Sequence, residues 1–262
     1  MNVLAVIPAR FGSTRFPGKP LARETGKYLI QHVVERVRIA RTISRTLIAT
    51  DDARIAAAAR EFGAECVMTR SDHVSGTDRI AEAVVALAGG DPRDIVLNVQ
   101  GDEPEIEPAA LDQLVRRMQA EPALAAGTLA CPFPAESDPS DPNRVKVVRS
   151  RRDEALYFSR ARIPFPREAA TDAERVEPLL HLGVYAYRRE FLLEFARWPA
   201  SPLEQTEKLE QLRILEYGVP MAVEIVQHAP AGVDTPDDYR MFVQRWRNAS
   251  LEHSSHLRGT NR

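Results

Sequence analysis

The chain has 262 residues, of which 44% are hydrophobic and 27% are charged, and its formal net charge is −2. This composition is ordinary for a globular protein with one large or two modest domains. The small net charge excludes a strongly basic surface for nucleic acid or anionic lipid. No apolar run approaches the roughly 20 residues of a transmembrane helix, and no basic segment precedes the first apolar run. We therefore expect a cytoplasmic protein with no nucleic-acid and no membrane partner.

The two cysteines, Cys66 and Cys131, lie far apart in the sequence. They lack the close spacing of zinc ligands, so two idle thiols in a reducing compartment are the simplest interpretation.

The first half of the sequence alternates strand-like and helix-like segments. Because the strands are continuously apolar, this alternation predicts an α/β fold with a parallel sheet covered by helices on both faces. Strands are predicted at 3–7, 46–50, 65–68 and 95–99, and helices at 29–39, 55–62, 77–88 and 111–118.

The second half is less regular. Residues 130–141 are rich in Pro, Ser and Asp and predict a loop that leaves the first domain. The segments 145–148 and 155–158 predict strands of a second sheet, for which an antiparallel arrangement is one option. The remaining predictions are a loop at 164–177, a strand at 182–187, helices at 191–198 and 205–216, a strand at 222–226, a last helix at 237–247 and a frayed tail at 248–262.

A glycine- and arginine-rich loop at 10–19 directly follows the first strand, as in phosphate-binding sites. It is not the P-loop of ATPases, because five residues separate Gly12 from Gly18 and Pro20 follows Lys19. No hydroxyl follows the lysine, so a metal must be held elsewhere. The residues suited to bind a polyphosphate are Arg10, Gly12, Ser13, Arg15, Gly18 and Lys19.

Three more polar loops, at 51–52, 70–79 and 100–103, follow the next three strands. The carboxyl ends of parallel strands meet at one sheet edge, where ligands bind in open α/β sheets. Asp102 either caps a turn or ligates Mg²⁺, and a neighbouring phosphate loop favours Mg²⁺. Asp234 is a second candidate ligand if its loop returns to the same edge, and otherwise an N-cap before Pro236.

Several other polar residues have two interpretations each. In 70–79, Ser75 or Thr77 caps the following helix, whereas the flanking arginines could enclose a base or a phosphate. His181 and Tyr185 lie four residues apart in a predicted strand and therefore share a face. Arg160 suits bidentate binding of a carboxylate, with solvated surface charge as the alternative.

Taken together, these segments resemble the 3-deoxy-manno-octulosonate cytidylyltransferases. The stretches that carry the resemblance run from the first strand to the last helix and cover nearly the whole chain. They are IPARFGSTRFPGKPL, ATDD, TRSDHVSGTDRIAE, NVQGDEPEI, NRVKVV, ALYFSRARIPFPR, HLGVYAYRREFL, SPLEQTEKLEQLRILEYG and GVDTPDDY. Tyr28 departs from the proline usual at its position, which should affect a helix entry rather than the chemistry.

The resemblance implies a Rossmann-like nucleotide-diphospho-sugar transferase fold. It implies a nucleotidyltransferase core at 1–129 and 200–247, an inserted dimerisation and sugar-binding region at 130–199, and a flexible tail at 248–262. It also implies a homodimer that uses Mg²⁺ and activates 3-deoxy-D-manno-octulosonate (Kdo) with CTP for lipopolysaccharide biosynthesis, giving CMP-Kdo and pyrophosphate.

The same resemblance implies roles for individual residues. The expected catalytic residues are Arg10, Lys19, Asp102 and Asp234, of which Asp102 and Asp234 hold the metal. The expected nucleotide-binding residues are Pro8, Ala9, Arg10, Ser13, Lys19, Arg70, Ser75 and Gly76. The expected sugar-binding residues are Gln100, Arg160, His181, Tyr185, Glu210 and Gln211.

Three alternatives stay open from the sequence. The enzyme could activate another acidic sugar, such as a sialic acid or an amino-substituted Kdo. It could be a glycosyltransferase that uses a ready-made nucleotide sugar, or a catalytically silent nucleotide-binding protein on the same fold.

Overall fold

The computed structural model describes residues 1–87, 89–134, 136–167 and 176–259, with side chains described as far as residue 249. The strands are β1 (Val3–Ala9), β2 (Arg45–Thr50), β3 (Glu65–Met68), β4 (Ile95–Asn98), β5 (Ala126–Pro132), β6 (Lys146–Arg149), β7 (Ala155–Ser159), β8 (Leu179–Arg188) and β9 (Met221–Ile225). The helices are α1 (Leu29–Ile39), α2 (Ala53–Glu61), α3 (Gly76–Ala86), α4 (Pro108–Ala120), α5 (Arg189–Phe195), α6 (Pro202–Glu207), α7 (Gln211–Glu216) and α8 (Pro236–Gly259). None of the helices in these residues combines the length and apolarity needed to cross a membrane.

The described strands form one sheet in the order β3-β2-β1-β4-β8-β5-β9, with β6 and β7 attached beside β8. The first four strands are mutually parallel, and β8 is antiparallel to both β4 and β5. The predicted α/β fold with a largely parallel central sheet is therefore confirmed. The direction of chain progression reverses between β1 and β4, and the crevice beyond such a switch point is where doubly wound sheets bind ligands.

Two apolar layers cover the sheet. One contains Ile30 of α1 and Leu111 of α4, and the other contains Ile80 of α3 and Phe191 of α5, all of them buried. A third, smaller cluster packs α8 against the start of α1 and consists of Leu29, Val233, Tyr239, Phe242 and Val243. The third cluster positions the residues just before α8, which reach the functional site.

The expectation of a loop at 130–141 is partly wrong, because β5 extends to Pro132. This strand carries Ala126, Gly127, Ala130 and Pro132, residue types that are depleted in strands and weaken a strand signal when the sequence is considered alone. Its residues 126–131 are nevertheless all buried, since it lies between β8 and β9. A Cβ at Gly127 would lie 3.1 Å from the Leu114 side chain, so the glycine permits close packing of α4.

A separate second sheet is not formed by the described residues. β6 pairs with β7 and with the outer end of β8, and β8 itself lies in the middle of the main sheet. The strands predicted at 145–148 and 155–158 are present as β6 and β7. The strand that joins them to the main sheet is β8, which comes later in the chain. The domain boundaries at 129, 199 and 247 remain predictions.

The helix expected at 205–216 is two short helices, α6 and α7, separated at Lys208. This residue has φ 53° and ψ 46°, a left-handed conformation that ends α6. The carbonyls of Glu207 and Lys208, released from helical bonding, accept hydrogen bonds from Arg160. The last helix, α8, continues to Gly259, beyond its expected end at 247 and through most of the expected tail.

Candidate active site

The loop after β1 is organised around Phe11. Its carbonyl accepts hydrogen bonds from the amides of Ser13 (2.9 Å) and Gly18 (3.1 Å). Gly18 has φ 71°, and a Cβ there would lie 3.1 Å from the Phe11 ring. The Arg54 guanidinium lies 3.3 Å from the centre of the same ring. Glycine is required at position 18 both for its left-handed conformation and for this close approach.

Lys19, at the end of the loop, brings two carboxylates together. Its Nζ donates hydrogen bonds to Asp102 Oδ2 (2.8 Å) and to the Val233 carbonyl (2.8 Å), and it lies 3.6 Å from Asp234 Oδ1. Arg15 Nη2 lies 3.1 Å from the same Asp234 oxygen. The Lys19 side chain is only 10% exposed. The N-terminal loop, the loop after β4 and the turn before α8 therefore meet at one ammonium group.

The Asp234 carboxylate is free for this site because other residues cap α8. Thr235 Oγ1 accepts a hydrogen bond from the Asp238 amide (3.2 Å), and Asp238 Oδ2 accepts from the Thr235 amide (2.8 Å). The Asp234 amide also donates to Asp238 Oδ2 (3.1 Å). This reciprocal arrangement is a capping box, so the alternative role of Asp234 as an N-cap side chain does not apply.

A cleft of about 300 Å³ opens beyond the carboxyl ends of β1 and β4. Nine of its lining residues are expected phosphate, cytidine or metal ligands, and Gln100 also reaches it. Arg70 is not among them, since its side chain is 70% exposed and pairs with Asp72 and Glu82 outside the cleft. The expected ligands that line the cleft are Pro8, Ala9, Arg10, Ser13, Lys19, Ser75, Gly76, Asp102 and Asp234.

The start of α3 forms one wall of this nucleotide-side cleft. Ser75 Oγ accepts a hydrogen bond from the Asp78 amide (3.1 Å), and Asp78 Oδ2 accepts one from the Ser75 amide (3.2 Å), which confirms Ser75 as the cap. The buried Arg79, which also lines the cleft, donates to Thr69 Oγ1 (2.6 Å) and lies 3.2 Å from Asp51 Oδ2. A capped helix N-terminus presents partial positive charge, which suits a phosphate.

A second cleft, of about 1080 Å³, adjoins the first and shares Gly76, Gln100, Asp102 and Asp234 with it. All the residues expected to bind the sugar line it. They are Gln100, Arg160, His181, Tyr185, Glu210 and Gln211. The two metal-ligand candidates thus lie where the two clefts meet.

One face of β8 lines this sugar-side cleft with His181, Gly183 and Tyr185. The rings of His181 and Tyr185 are 5.5 Å apart, which confirms that they share a face, and His181 Nε2 lies 3.0 Å from Thr128 Oγ1. Burial lowers the pKa of His181 to about 3, so the ring is neutral near pH 7. Burial, with the neighbouring charge of Glu210, raises the pKa of Tyr185 and keeps its phenol protonated.

Two glutamates contribute to the same cleft. Glu210 Oε2 accepts a 2.5 Å hydrogen bond from Thr77 Oγ1, which connects the sugar-side cleft to the start of α3. Burial raises the pKa of Glu210. Burial, together with the adjacent Asp102 charge, raises the pKa of Glu103 to about 8. Sequence reasoning did not single out Glu103 as a ligand, and only its place in a polar loop at the sheet edge indicated it. Arg79 was indicated as one of the two arginines flanking 70–79 that could enclose a base or a phosphate, and it is the one that lines the cleft.

The Arg160 guanidinium is mostly engaged with backbone carbonyls. Nε donates to Glu207 O (2.6 Å), Nη1 to Pro142 O (2.9 Å) and Nη2 to Lys208 O (3.3 Å). Three of its five N–H groups are used in this way, so it joins two walls of the cleft. Direct contact with a sugar carboxylate remains a prediction for this residue.

The donor set at the meeting point of the clefts fits Mg²⁺. Mg²⁺ is commonly bound by one or two carboxylates, with substrate phosphates and water completing six oxygen ligands. Asp102 and Asp234 supply two carboxylates that already face one cation, the Lys19 ammonium. The described residues contain no cluster of three or more His, Cys, Asp or Glu that could hold a metal alone. Phosphate oxygens and water would therefore complete the coordination.

Comparison with known proteins agrees with this geometry. Residues 4–225 match the family model described as cytidylyltransferase, so Asp234 lies just beyond the matched segment. The 3-deoxy-manno-octulosonate cytidylyltransferase of Syntrophotalea carbinolica is 50% identical over 243 residues, which cover 91% of this chain and 96% of that protein. The 8-amino-3,8-dideoxy-manno-octulosonate cytidylyltransferase of Shewanella halifaxensis is 47% identical over 246 residues, covering 94% and 98%.

The fold of a solved structure is also similar. A CMP:2-keto-3-deoxy-manno-octonic acid synthetase complexed with CTP superposes with a TM-score of 0.87 at 41% identity, and the match covers 95% of this chain and 100% of that one. The family-model match, the sequence identities and the shared fold each extend over most of the chain, and by these criteria it belongs to the cytidylyltransferase family.

Proposed function

We propose that this protein transfers the cytidylyl group of CTP to Kdo, giving CMP-Kdo and pyrophosphate for lipopolysaccharide biosynthesis. The observation that carries the proposal is the meeting of two clefts at Asp102 and Asp234. One cleft has the loop and helix terminus suited to phosphates, and the other has the polar groups suited to a sugar acid. Relatives with activities of this kind cover more than nine-tenths of the chain.

The reaction is a direct in-line displacement. The anomeric hydroxyl oxygen of the sugar acid forms a bond to the α-phosphorus of CTP as the bond from phosphorus to the pyrophosphate oxygen breaks. The hydroxyl proton passes to solvent, and pyrophosphate leaves with the electron pair. Such a transfer depends on positioning and charge stabilisation rather than on a covalent enzyme intermediate.

The phosphate side of the site acts through fixed charge. Arg10 and Lys19 contact the triphosphate and stabilise the negative charge that develops on pyrophosphate. The capped start of α3 and the hydroxyl of Ser13 orient the phosphates. Asp102 and Asp234 would hold Mg²⁺, which when bound lowers the charge repulsion between the phosphates and the attacking oxygen.

The sugar side of the site acts through hydrogen bonds. His181 is neutral, so its ring offers one donor and one acceptor rather than a charge. The protonated phenol of Tyr185 and the side chains of Gln100 and Gln211 orient the sugar, and the Arg160 guanidinium favours an anionic substrate. Together they fix the anomeric hydroxyl at the junction of the clefts.

The deciding experiment is pyrophosphate release from CTP with Mg²⁺ and a panel of acceptors. We expect turnover with Kdo, none without an acceptor, and much slower turnover with a sialic acid. Parallel reactions with ATP, GTP and UTP test the choice of nucleotide. Calorimetric CTP binding without turnover on any sugar acid would favour a silent binding protein, and activity only with a ready-made nucleotide sugar would favour a glycosyltransferase.

An amino-substituted Kdo is the second candidate substrate. The relative from Shewanella halifaxensis is named for the 8-amino sugar, and two carboxyl groups, those of Glu103 and Glu210, line the sugar-side cleft. An ammonium substituent there would favour the ionised form of these carboxyl groups and pair with it. Competition between Kdo and its 8-amino analogue at equal concentration, read by mass spectrometry of the two products, decides between them.

We further propose that the protein works as a homodimer in the cytoplasm, where CTP is available. Large apolar side chains are exposed within residues 130–199, and this supports an interface there. Leu156 is 61% exposed, Phe165 82% and Val176 71%. Light scattering after size exclusion should give a dimer mass for the wild type, and a monomer mass for Phe165→Ser if this surface forms the interface.

A further inference from the structure

Glu103 lines the sugar-side cleft and has an unsatisfied carboxyl oxygen. Its Oε2 is buried and has no hydrogen-bond partner. Three other buried side-chain atoms in the described part of the chain lack partners, on Arg117, Arg162 and Ser201, and none of these residues lines either cleft. Of these four residues in the described part of the chain, only Glu103 lines a cleft.

A buried carboxyl oxygen without a partner lowers stability, because it has lost its hydration and gained nothing in return. Native proteins leave few such groups, and each one calls for an explanation. A group that hydrogen-bonds to a ligand is one explanation, because the partner is absent until the ligand binds.

The neighbouring strand β8 leaves space near this carboxyl. Gly183 of β8 lies between His181 and Tyr185 on the face that lines the cleft. A Cβ at Gly183 would lie 3.9 Å from Glu103 Oε1 and 3.5 Å from Gln100 Cγ. The absence of a side chain at this position keeps the approach to Glu103 open.

The charge around Glu103 determines the chemistry of its partner. The carboxylate of Asp102 is adjacent, so a sugar carboxylate or a phosphate at this position would meet a like charge. A neutral sugar hydroxyl group avoids this repulsion and can donate a hydrogen bond to the carboxyl oxygen.

We propose that Glu103 is a sugar-binding residue whose buried carboxyl accepts a hydrogen bond from a hydroxyl group of the sugar acid in the larger cleft. The inference rests on the proposed function and adds a contact that selects for the hydroxyl pattern of the acceptor. A site built to hydrogen-bond a hydroxyl discriminates against analogues that lack it.

Steady-state kinetics of Glu103→Met and Glu103→Gln test the proposal, with Glu105→Gln as the matched control. Glu105 lies two residues further on and pairs with Arg245. For Glu103→Met we expect the KM for Kdo to rise at least about tenfold, the KM for CTP to stay within about twofold, and the melting temperature to be unchanged or higher. Glu103→Gln keeps a hydrogen-bond acceptor, so its KM for Kdo should rise less. The control variant Glu105→Gln should have the KM values of the wild type.

Gly183→Ser provides a second variant that leaves Glu103 intact. Its side chain would fill the space in front of the carboxyl, so the KM for Kdo should again rise while that for CTP does not. A panel of sugar acids that each lack one hydroxyl then identifies the partner group. The wild type should discriminate against one of them, and Glu103→Met should lose that discrimination.

An unchanged KM for Kdo in a folded Glu103→Met variant would overturn the inference. An equal rise in both KM values with a lower melting temperature would also overturn it, since that pattern indicates a structural role. If the wild type releases no pyrophosphate with any sugar acid, the proposed function fails as well. An active wild type beside an unaffected Glu103→Met variant would overturn only the role of Glu103.

Discussion

The amide of Val233 donates a 2.8 Å hydrogen bond to the carbonyl oxygen of Asp102. This bond joins the loop after β4 directly to the turn before α8. Lys19 Nζ also donates hydrogen bonds to the Val233 carbonyl and to the Asp102 carboxylate, so the same two segments are connected a second time. The spacing between the two metal-ligand candidates, Asp102 and Asp234, is therefore fixed by backbone as well as by side-chain contacts.

Lys19→Met should separate metal binding from catalysis. Without the ammonium group, two carboxylates face each other with less compensating charge, so the free protein should bind a divalent ion more tightly. Turnover should nevertheless fall about 10²–10³-fold, because a positioned charge on the triphosphate is lost. Titration with Mn²⁺ followed by electron paramagnetic resonance measures the affinity, and pyrophosphate release measures the rate.

Lys27→Met is the control for this substitution, since Lys27 pairs with Glu35 away from the clefts. Lys27→Met should leave the Mn²⁺ affinity and the rate of pyrophosphate release near the wild-type values. Unaltered Mn²⁺ affinity in Lys19→Met would show that the ammonium does not compete with a cation for the two carboxylates.

Asp102→Asn and Asp234→Asn should each lower turnover by at least about 10²–10³-fold at saturating Mg²⁺ and leave the melting temperature nearly unchanged. Asp238→Ala should lower the melting temperature and affect turnover much less, because the Asp238 carboxylate accepts the Thr235 amide in the capping box of α8. Loss of a cap costs about 0.5–2 kcal/mol, so this variant should melt earlier and stay far more active than Asp234→Asn. Wild-type turnover in either asparagine variant would refute the metal assignment.

Gly101→Ala should destabilise the protein and displace Asp102. A Cβ at this position would lie 3.0 Å from the Pro8 carbonyl oxygen and 3.1 Å from Ile30 Cδ1. Forcing an extra methyl group into a packed position typically costs about 1–3 kcal/mol. Gly232→Ala is the matched control, because nothing lies within 4 Å of a Cβ there. Equal free energies of unfolding for the two variants would contradict this packing argument.

His32 should make the protein less stable in mild acid. The ring is buried against Phe242 and Trp246, and burial lowers its pKa from 6.5 to about 4. The nearby Glu35 charge opposes this shift, whereas the Lys27 charge adds to it. The unfolded chain binds the proton first, so the stability is present above pH 6.5 and is lost as pH falls toward 4. By pH 5 the loss should be about 2 kcal/mol.

Urea unfolding of wild type and His32→Gln at pH 7 and pH 5 measures this contribution. His181 also has a lowered pKa and affects both proteins, so it cancels in the difference between them. Identical pH dependence in the two proteins would mean that His32 is not held neutral by burial.

The central sheet was predictable because the strands that build it are unbroken apolar runs. Strand β3 and helix α1 were located with their observed limits at Glu65–Met68 and Leu29–Ile39. The position of β5 was not predictable from periodicity, since its burial depends on neighbours β8 and β9, which come much later in the chain. The break at Lys208 depends likewise on Arg160, which is remote in sequence.

The candidate site was likewise predictable only in part. The ends of β1 and β4 indicated Lys19 and Asp102, since parallel strands deliver their loops to one edge. The choice between a cap and a ligand for Asp234 depended on Thr235 and Asp238, which cap α8 instead. The Thr-x-x-Asp spacing of these two residues is a local signal for a capping box and could have indicated this. The placement of Arg70 outside the nucleotide-side cleft and of Arg79 inside it depends on how α3 packs.

Lys19 and Val233, which are in direct contact, are separated by 214 positions along the chain. At about 5–20 residues per second, a ribosome needs roughly 10–40 s to add the later residue after the earlier one. A nascent chain that ends before this turn therefore carries the loop after β1 without the second of the two metal-ligand candidates. Catalytic competence should require translation past Asp234, so products that end before this residue should be inactive rather than partly active.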